Sequence, residues 1–462
     1  RAEIAARGPM TFARFMELAL YHPELGYYAG GRAGREPVGW SGDYFTSGDV
    51  HPLWGWCLAR QLRQMWDLLG RPAVFDVIEA GAGRGLLARD VWAYALAEAP
   101  EWAAALRYTL VEWLPEGSPL REARAARLAA ALADLGAPAG AVRWVERLED
   151  AGGGDLTPSP SGRSPNAPTP GKAEPEGETA ENAEGRRGET GIGQRPAMEP
   201  RTDQWTSQIM PAALSRARGL TGCVVANELV DALPVHVVAR GEGGPNDLRE
   251  VYVDVAGGRL VERLGEPSRP DLAASLDRYR VPWRDYPAGW RAEVCLAAEP
   301  WMTRVASALD RGFTLICDYG DTARRLYIRD RRRGTLMAYT GHRLGERPLA
   351  NPGAQDLTTH VNFSALVDAG RAAGLRLAGL TTQRAFLERL GLRAEADARA
   401  ARLYPAADTD RASDRGQADY LRRAALRGAV TTLLDPAGLG GFRVLIQQRG
   451  VPGASRQLIG LA

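Results

Sequence analysis

The seven residues Glu79-Ala80-Gly81-Ala82-Gly83-Arg84-Gly85 constrain this chain more than any others. They follow the apolar run 73–79 (AVFDVIE) and precede a helix-like stretch at 86–99. A short strand ending in an acid, a glycine turn and a helix together open a parallel α/β sheet. Glycine lets the chain turn tightly and lets a ligand approach the backbone. Dinucleotide enzymes use G-x-G-x-x-G, with pyrophosphate on the helix N-terminus. Here the third glycine comes one residue early, and Leu86 sits where that pattern wants glycine. Glu79 would also repel pyrophosphate, whereas it could hold an ammonium. S-adenosylmethionine (SAM) offers a cationic amino-acid end and no phosphate, so Glu79 favours it over NAD. Glu112 ends the next strand-like run, 107–112, where it can accept both ribose hydroxyls. By itself the string leaves another nucleotide, or a turn with no ligand, open.

The alternation continues along the chain. Residues 142–145, 223–227, 314–320, 375–380 and 442–448 read as strands, and 52–69, 120–135, 299–311, 362–374 and 415–434 as helices. Phe12, Phe15, Met16 and Ala19 recur at helical spacing, which predicts a short amphipathic helix over 10–20. Period-two stretches within 235–264 predict an antiparallel meander. The whole argues for a mainly parallel sheet with helices on both faces, whose ligands bind at the carboxyl ends of the strands. Glu79, Glu112, Asn227-Glu228 and Asp318 all fall at such ends. Residues 151–204 break the pattern, with 8 Pro and 10 Gly in 54 positions. Such a segment cannot bury enough surface to offset chain entropy and is expected to be a disordered insertion.

Composition narrows the partners. With 58 basic and 56 acidic residues the net charge is +2, which gives no reason to expect a nucleic-acid partner. The four cysteines lie far apart with no C-x-x-C pair, and the five histidines are not at metal-ligand spacing, so no metal is expected. A reducing compartment fits this cysteine usage. No run approaches the ~18 apolar residues of a membrane span, and residues 1–4 lack the apolar core of a signal peptide. The expectation is a cytoplasmic protein without membrane insertion.

Several further strings carry a family resemblance: LYHPELGYY (20–28), GDYFTS (42–47), EAGAGRG (79–85), ANELVDALPVH (226–236), CDYG (317–320), GTLMAYTGH (334–342), DLTTHVNFSAL (356–366) and TQRAFLERLG (382–391). In this order they resemble the MidA-type SAM-dependent methyltransferases. That family includes the mitochondrial complex I assembly factor that dimethylates an arginine on a core subunit. The chain departs from the family in having Ala82 where proline is more usual, and a looser spacing between Glu112 and Ser118-Pro119.

The resemblance implies a class I SAM-dependent methyltransferase fold, Rossmann-like and α/β, with helical and antiparallel β elaborations. Its parts would be an N-terminal segment covering the cofactor (1–72), a first core part (73–150 and 205–234), the insertion (151–204), an antiparallel elaboration on the substrate side (235–291) and a second core part with helical substrate-side insertions (292–462). SAM would meet Thr46, Glu79, Gly81, Gly83, Gly85 and Glu112, with Leu148 and Glu149 on the adenine side. The implied activity is arginine N-methylation on a protein substrate, with a complex I-type subunit as candidate acceptor and a homodimer as candidate assembly. Alternatives are a methyltransferase acting on a small molecule or another residue, and a non-catalytic assembly factor that keeps the SAM fold.

An arginine acceptor needs carboxylates to orient its guanidinium. Asn227, Glu228, Asp231 and Asp318 are the catalytic candidates. The competing reading is that Asp231 caps a turn, Asn227 ties loops together and Asp318 caps the turn after its strand. Asp43, Thr46 and Ser47 lie on a loop that could cover the cofactor. Tyr21, Tyr27 and Tyr28 are expected to pack the N-terminal segment, and His342 and His360 to tether loops.

Overall fold

The computed structural model describes residues 1–29, 36–40, 42–114, 117–146 and 219–461. The expected insertion at 151–204 lies outside them. Their centre is a seven-stranded sheet. In chain order its strands are β1 (Phe75–Ala80), β2 (Leu106–Val111), β3 (Val142–Val145), β4 (Leu220–Asn227), β5 (Leu309–Asp318), β6 (Arg376–Thr382) and β7 (Arg443–Arg449). Across the sheet they run β6-β7-β5-β4-β1-β2-β3. The first five are parallel to one another. β7 is antiparallel to both β5 and β6. The order reverses between β1 and β4, so loops leaving their carboxyl ends part in opposite directions and open a crevice.

β1 shows why the sheet is covered on both sides. Phe75 and Val77 pack into the core on one face, with helices Leu53–Leu68, Leu86–Glu98 and Asp414–Leu434. Ile78 and Ala80 pack into the other, with helices Phe12–Tyr21, Ala298–Ala308 and Phe363–Ala372. Alternate residues of a strand point to opposite faces, so an all-apolar run needs cover on both.

The expected meander is present as His236–Arg240, Leu248–Ala256 and Arg259–Gly265, paired antiparallel in sequence. Two segments not foreseen extend that sheet: Met10–Thr11 from the N-terminus and Arg291–Val294. A further three-stranded sheet joins Arg343–Gly345, Met337–Thr340 and Asp356–Thr358. The helix expected to reach residue 311 stops at Ala308, and β5 begins at once. Gly312 lets the new strand lie close against β4. A β-carbon there would lie 2.0 Å from the Gly222 carbonyl oxygen, so the two strands meet where neither carries a side chain.

Candidate active site

The crevice is a cavity walled by the glycine turn, the ends of β2 and β4, and the N-terminal segment. At the turn, Gly81, Gly83 and Gly85 all have φ between +55° and +71°, a region other residues enter at a cost. Two of them do different work. A β-carbon on Gly85 would lie 2.6 Å from Leu128, so that glycine lets helix Pro119–Asp134 pack close. A β-carbon on Gly83 would meet nothing within 4 Å. Its bare face lines the cavity, which suits a ligand lying against the backbone.

Two carboxylates flank this turn. Glu79 is buried at the end of β1, and the Tyr108 hydroxyl donates to its Oε2 at 2.8 Å. Burial pushes its carboxyl up to about 8, the response of an acid that lacks a cation. Glu112 follows β2. Its Oε2 accepts from the Gly83 amide at 2.5 Å and its Oε1 from the Trp113 amide at 3.1 Å. Burial also raises Glu112, while Arg124 pulls it back. Arg124, 3.7 Å from Glu112, lines the cavity and was not foreseen. The signal available was an arginine on the inward face of the helix after β2. Trp113 was missed too; its indole N–H is buried without a partner among the described residues. Leu148 and Glu149 lie outside the described residues, and Glu146 is the nearby acid that lines the cavity.

The N-terminal segment closes one side. Thr46 lines the cavity, and its amide and hydroxyl both donate to Asp49 Oδ2 at 2.9 Å. Asp49 is ion-paired with Arg84 of the glycine turn. Asp43 serves as an anchor, accepting from the Gly341 amide at 2.7 Å and the Tyr27 hydroxyl at 3.1 Å. His342 donates its own amide to the Asp43 carbonyl and sets its ring nitrogen against the Trp40 carbonyl. That is the expected tethering geometry.

At the far end, Asn227 and Glu228 line the cavity. Glu228 sits at φ +49°, a conformation that costs a residue with a side chain about 1–3 kcal/mol. Its Oε1 accepts from the Ser47 amide at 2.9 Å and the Asn227 side chain at 3.2 Å. Burial pushes its carboxyl up to about 7. The Asn227 side-chain oxygen has no partner among the described residues.

Asp318 and Asp231 do not line the cavity. Asp318 is fully buried beneath the turn Val230–Ala232, and its Oδ2 accepts from the amides of Leu229, Val230 and Asp231 at 2.9–3.3 Å. It caps the turn, as the competing reading had it: both its oxygens accept from backbone amides, Oδ1 from that of Tyr319. Asp231 accepts from the Tyr319 hydroxyl, while its other oxygen has no partner among the described residues. Beside it is Asp356, whose Oδ1 accepts from the Tyr28 hydroxyl at 2.9 Å and the Leu357 amide at 2.9 Å. Burial, with Asp231 next to it, pushes Asp356 up to about 8; Asp231 itself is pushed up to about 6 by burial. Tyr21, Tyr28 and Tyr44 line the cavity, so the tyrosines do more than pack the N-terminus. Asp356 opens the DLTTHVNF string, which was the available signal for it.

These groups fit SAM: an acid for an ammonium, an acid for ribose hydroxyls, and a glycine leaving open space between them. Among the described residues no cluster of three or more His, Cys, Asp or Glu could hold a metal, and no helix is long and apolar enough to cross a membrane.

Comparisons with known proteins agree with the geometry. Residues 57–159 and 184–381 match the family described as "Putative S-adenosyl-L-methionine-dependent methyltransferase". A relative from Danio rerio, named protein arginine methyltransferase NDUFAF7, mitochondrial, is 27% identical over 403 residues, covering 85% of this chain and 75% of its own. The homologue from Drosophila melanogaster is 26% identical over 396 residues, covering 84% and 73%. A Burkholderia thailandensis protein crystallised with S-adenosyl-homocysteine superposes with a TM-score of 0.71 at 28% identity, over 100% of this chain and 93% of that one. The cytoplasmic expectation is corrected by these relatives, which are named as mitochondrial; cysteine usage reports a reducing compartment, not which one. The cofactor is SAM, and the match covers well over half of the sequence: the chain belongs to this family of S-adenosyl-L-methionine-dependent methyltransferases.

Proposed function

We propose that this enzyme is a protein-arginine N-methyltransferase. The observation that carries the reading is the buried pair Asp231 and Asp356, beside the tyrosines of the cavity wall, with one Asp231 oxygen left without a partner among the described residues. Two buried acids, one of which raises the other's cost of ionisation, are relieved by a cation, and a planar guanidinium can bridge carboxylates in a fixed orientation. Tyrosine faces also favour a cation. The relatives named as arginine methyltransferases support the same reading.

In this proposal Glu79 holds the ammonium of SAM and Glu112 its ribose hydroxyls. Gly83 leaves room for it beside Gly81, Gly85 serves it only by letting helix Pro119–Asp134 pack against the turn, Thr46 covers it, and Leu148 and Glu149 lie towards the adenine. Bound SAM supplies a methyl carbon activated by a sulfonium. An arginine nitrogen would take that methyl, with the C–S bond giving way to N–C and the thioether as leaving group, and would shed one proton. Asp231 and Asp356 orient the guanidinium, which is most of what such a displacement needs. Glu228, pushed up to about 7 and anchored by Ser47 and Asn227, is suited to accept that proton.

The acceptor proposed first is a complex I-type subunit, on the family resemblance. The test is transfer of labelled methyl from SAM into extract of cells lacking this protein, followed by hydrolysis. Label in methylated arginine on one protein band is the expected result. Label on a small metabolite, or on another amino acid, overturns the arginine reading.

A further inference from the structure

We propose that Arg124 is a positioning residue for the cofactor, keeping the ribose acid Glu112 ionised while Glu36 holds the guanidinium back from it. The inference rests on the reading of Glu112 as the group that accepts the ribose hydroxyls.

Arg124 is on helix Pro119–Asp134 and only 3% exposed. Its Nε and Nη2 donate to the two Glu36 oxygens at 3.0 and 2.6 Å, a forked pairing. Its Nη1 stands 3.7 Å from Glu112 Oε2, too far for a hydrogen bond yet close enough to act as a charge. The difference has a use. A carboxylate that accepts from two ribose hydroxyls must be ionised and must keep lone pairs free. Glu112 already spends one acceptor site on the Gly83 amide and one on Trp113. A direct fork from Arg124 would spend two more. With Glu36 occupying the fork, Arg124 supplies charge without taking the acceptor sites.

The arrangement also ties two parts of the site together. Glu36 belongs to the N-terminal segment that brings Val38, Tyr44 and Thr46 to the cavity. Arg124 therefore joins that cover to the acid at the end of β2. Around Glu112 the other titratable groups are Glu36, Glu79 on β1 and Tyr21 on helix Phe12–Tyr21. Glu146, Arg121 beside it, and Arg304 also stand at or near the cavity wall. Of the charges that shift Glu112, Arg124 is the one that favours its ionised form most.

The experiment is calorimetric binding of S-adenosyl-homocysteine between pH 6.5 and 9, expressed as each variant's dissociation constant over that of the wild type. The ratio removes the titration of the ligand amine, which both proteins share. For Arg124→Met the expected ratio is large at low pH and shrinks as pH rises, by up to about tenfold per unit where Glu112 is protonated in the variant. Arg124→Lys keeps the charge and should give a ratio that hardly changes with pH. Loss of packing alone would weaken binding equally at every pH, so a pH-independent ratio for Arg124→Met overturns the proposal. If Arg124→Met does not fold, Arg124→Gln takes its place with the same expectation. Glu112→Gln is the control. If it binds as tightly as wild type, the ribose reading of Glu112 falls; if it binds weakly while Arg124→Met shows no pH dependence, only the role given to Arg124 falls.

Discussion

The two ends of the cavity are built in opposite ways. The cofactor end comes mostly from one compact unit: β1, the glycine turn and the acid after β2. Gly83 and Glu112 meet through a single hydrogen bond across 29 positions. The end proposed for the acceptor is drawn from far apart, with Asp231 and Asp356 behind the tyrosines of the wall and not on the wall itself. Tyr28 and Asp356 are 328 residues distant, and Ser47 and Glu228 are 181. A site made from a local turn is specified by a few adjacent residues. A site made from distant segments exists only when the whole sheet, the N-terminal helix and the small three-stranded sheet are in place.

Substitutions should separate the two ends. The largest expected effect is Gly83→Val. The new side chain would point into the cavity, and its φ of +55° would add about 1–2 kcal/mol of strain. Calorimetry should find no measurable S-adenosyl-homocysteine binding, with the far-UV spectrum retained. Next is Glu228→Gln, which keeps an oxygen for the Ser47 amide but cannot take a proton. Methyl transfer should fall by about 10²–10⁴ with cofactor affinity within about threefold of wild type. If Glu228→Gln transfers normally, the acid has only an anchoring role. A smaller effect is expected for Asp356→Asn. Its oxygen can still accept from Tyr28, but the charge is lost. The KM for the protein acceptor should rise about tenfold, with cofactor affinity unchanged. A change in cofactor affinity instead would mean that the two ends are not separable.

The same contrast explains what was legible beforehand. Glu79 and the glycines were readable because the physics is local: the turn needs positive φ, and the acid next to it speaks against phosphate. The parallel strands were readable because apolar runs buried on both faces leave a plain signature. Asp318 was left between two readings because a strand-ending acid looks the same whether it faces a ligand or three backbone amides. Only the path of the turn Val230–Ala232 decides between them. Arg124 and Asp356 carried only weak marks. One is an arginine in an Ala/Arg/Leu helix, and the other an acid before a short strand. Their meaning comes from Glu36 and Tyr28, which the fold brings to them. The close approach of β5 to β4 was hidden for the same reason, since Gly312 matters only because Gly222 lies opposite.

The smallest predicted effect tests both ends at once, through stability. Burial pushes Glu79 and Asp356 up to about 8, Glu228 up to about 7 and Asp231 up to about 6. In the unfolded chain these groups titrate near the ordinary carboxyl values of about 4. Between about pH 5 and 8 the folded protein therefore binds more protons than the unfolded one, and stability falls as pH rises. The ligand-free enzyme should melt lower at pH 8 than at pH 5.5, by roughly 3–8 °C. The two ends should then contribute separate parts of the slope, beside a shared part from Asp90, pushed up to about 7 by burial, and from Asp318, which burial also raises. S-adenosyl-homocysteine brings an ammonium to Glu79 and lets it ionise without loss, so its stabilising shift should be larger at pH 8 than at pH 6. Asp356→Asn should flatten what slope remains with the ligand bound, because the variant loses the titration of Asp356 itself, pushed up to about 8 by burial. A slope that S-adenosyl-homocysteine abolishes completely would assign all the buried acid to the cofactor end, and would leave the Asp231–Asp356 pair ionised or otherwise compensated, with no need of a guanidinium.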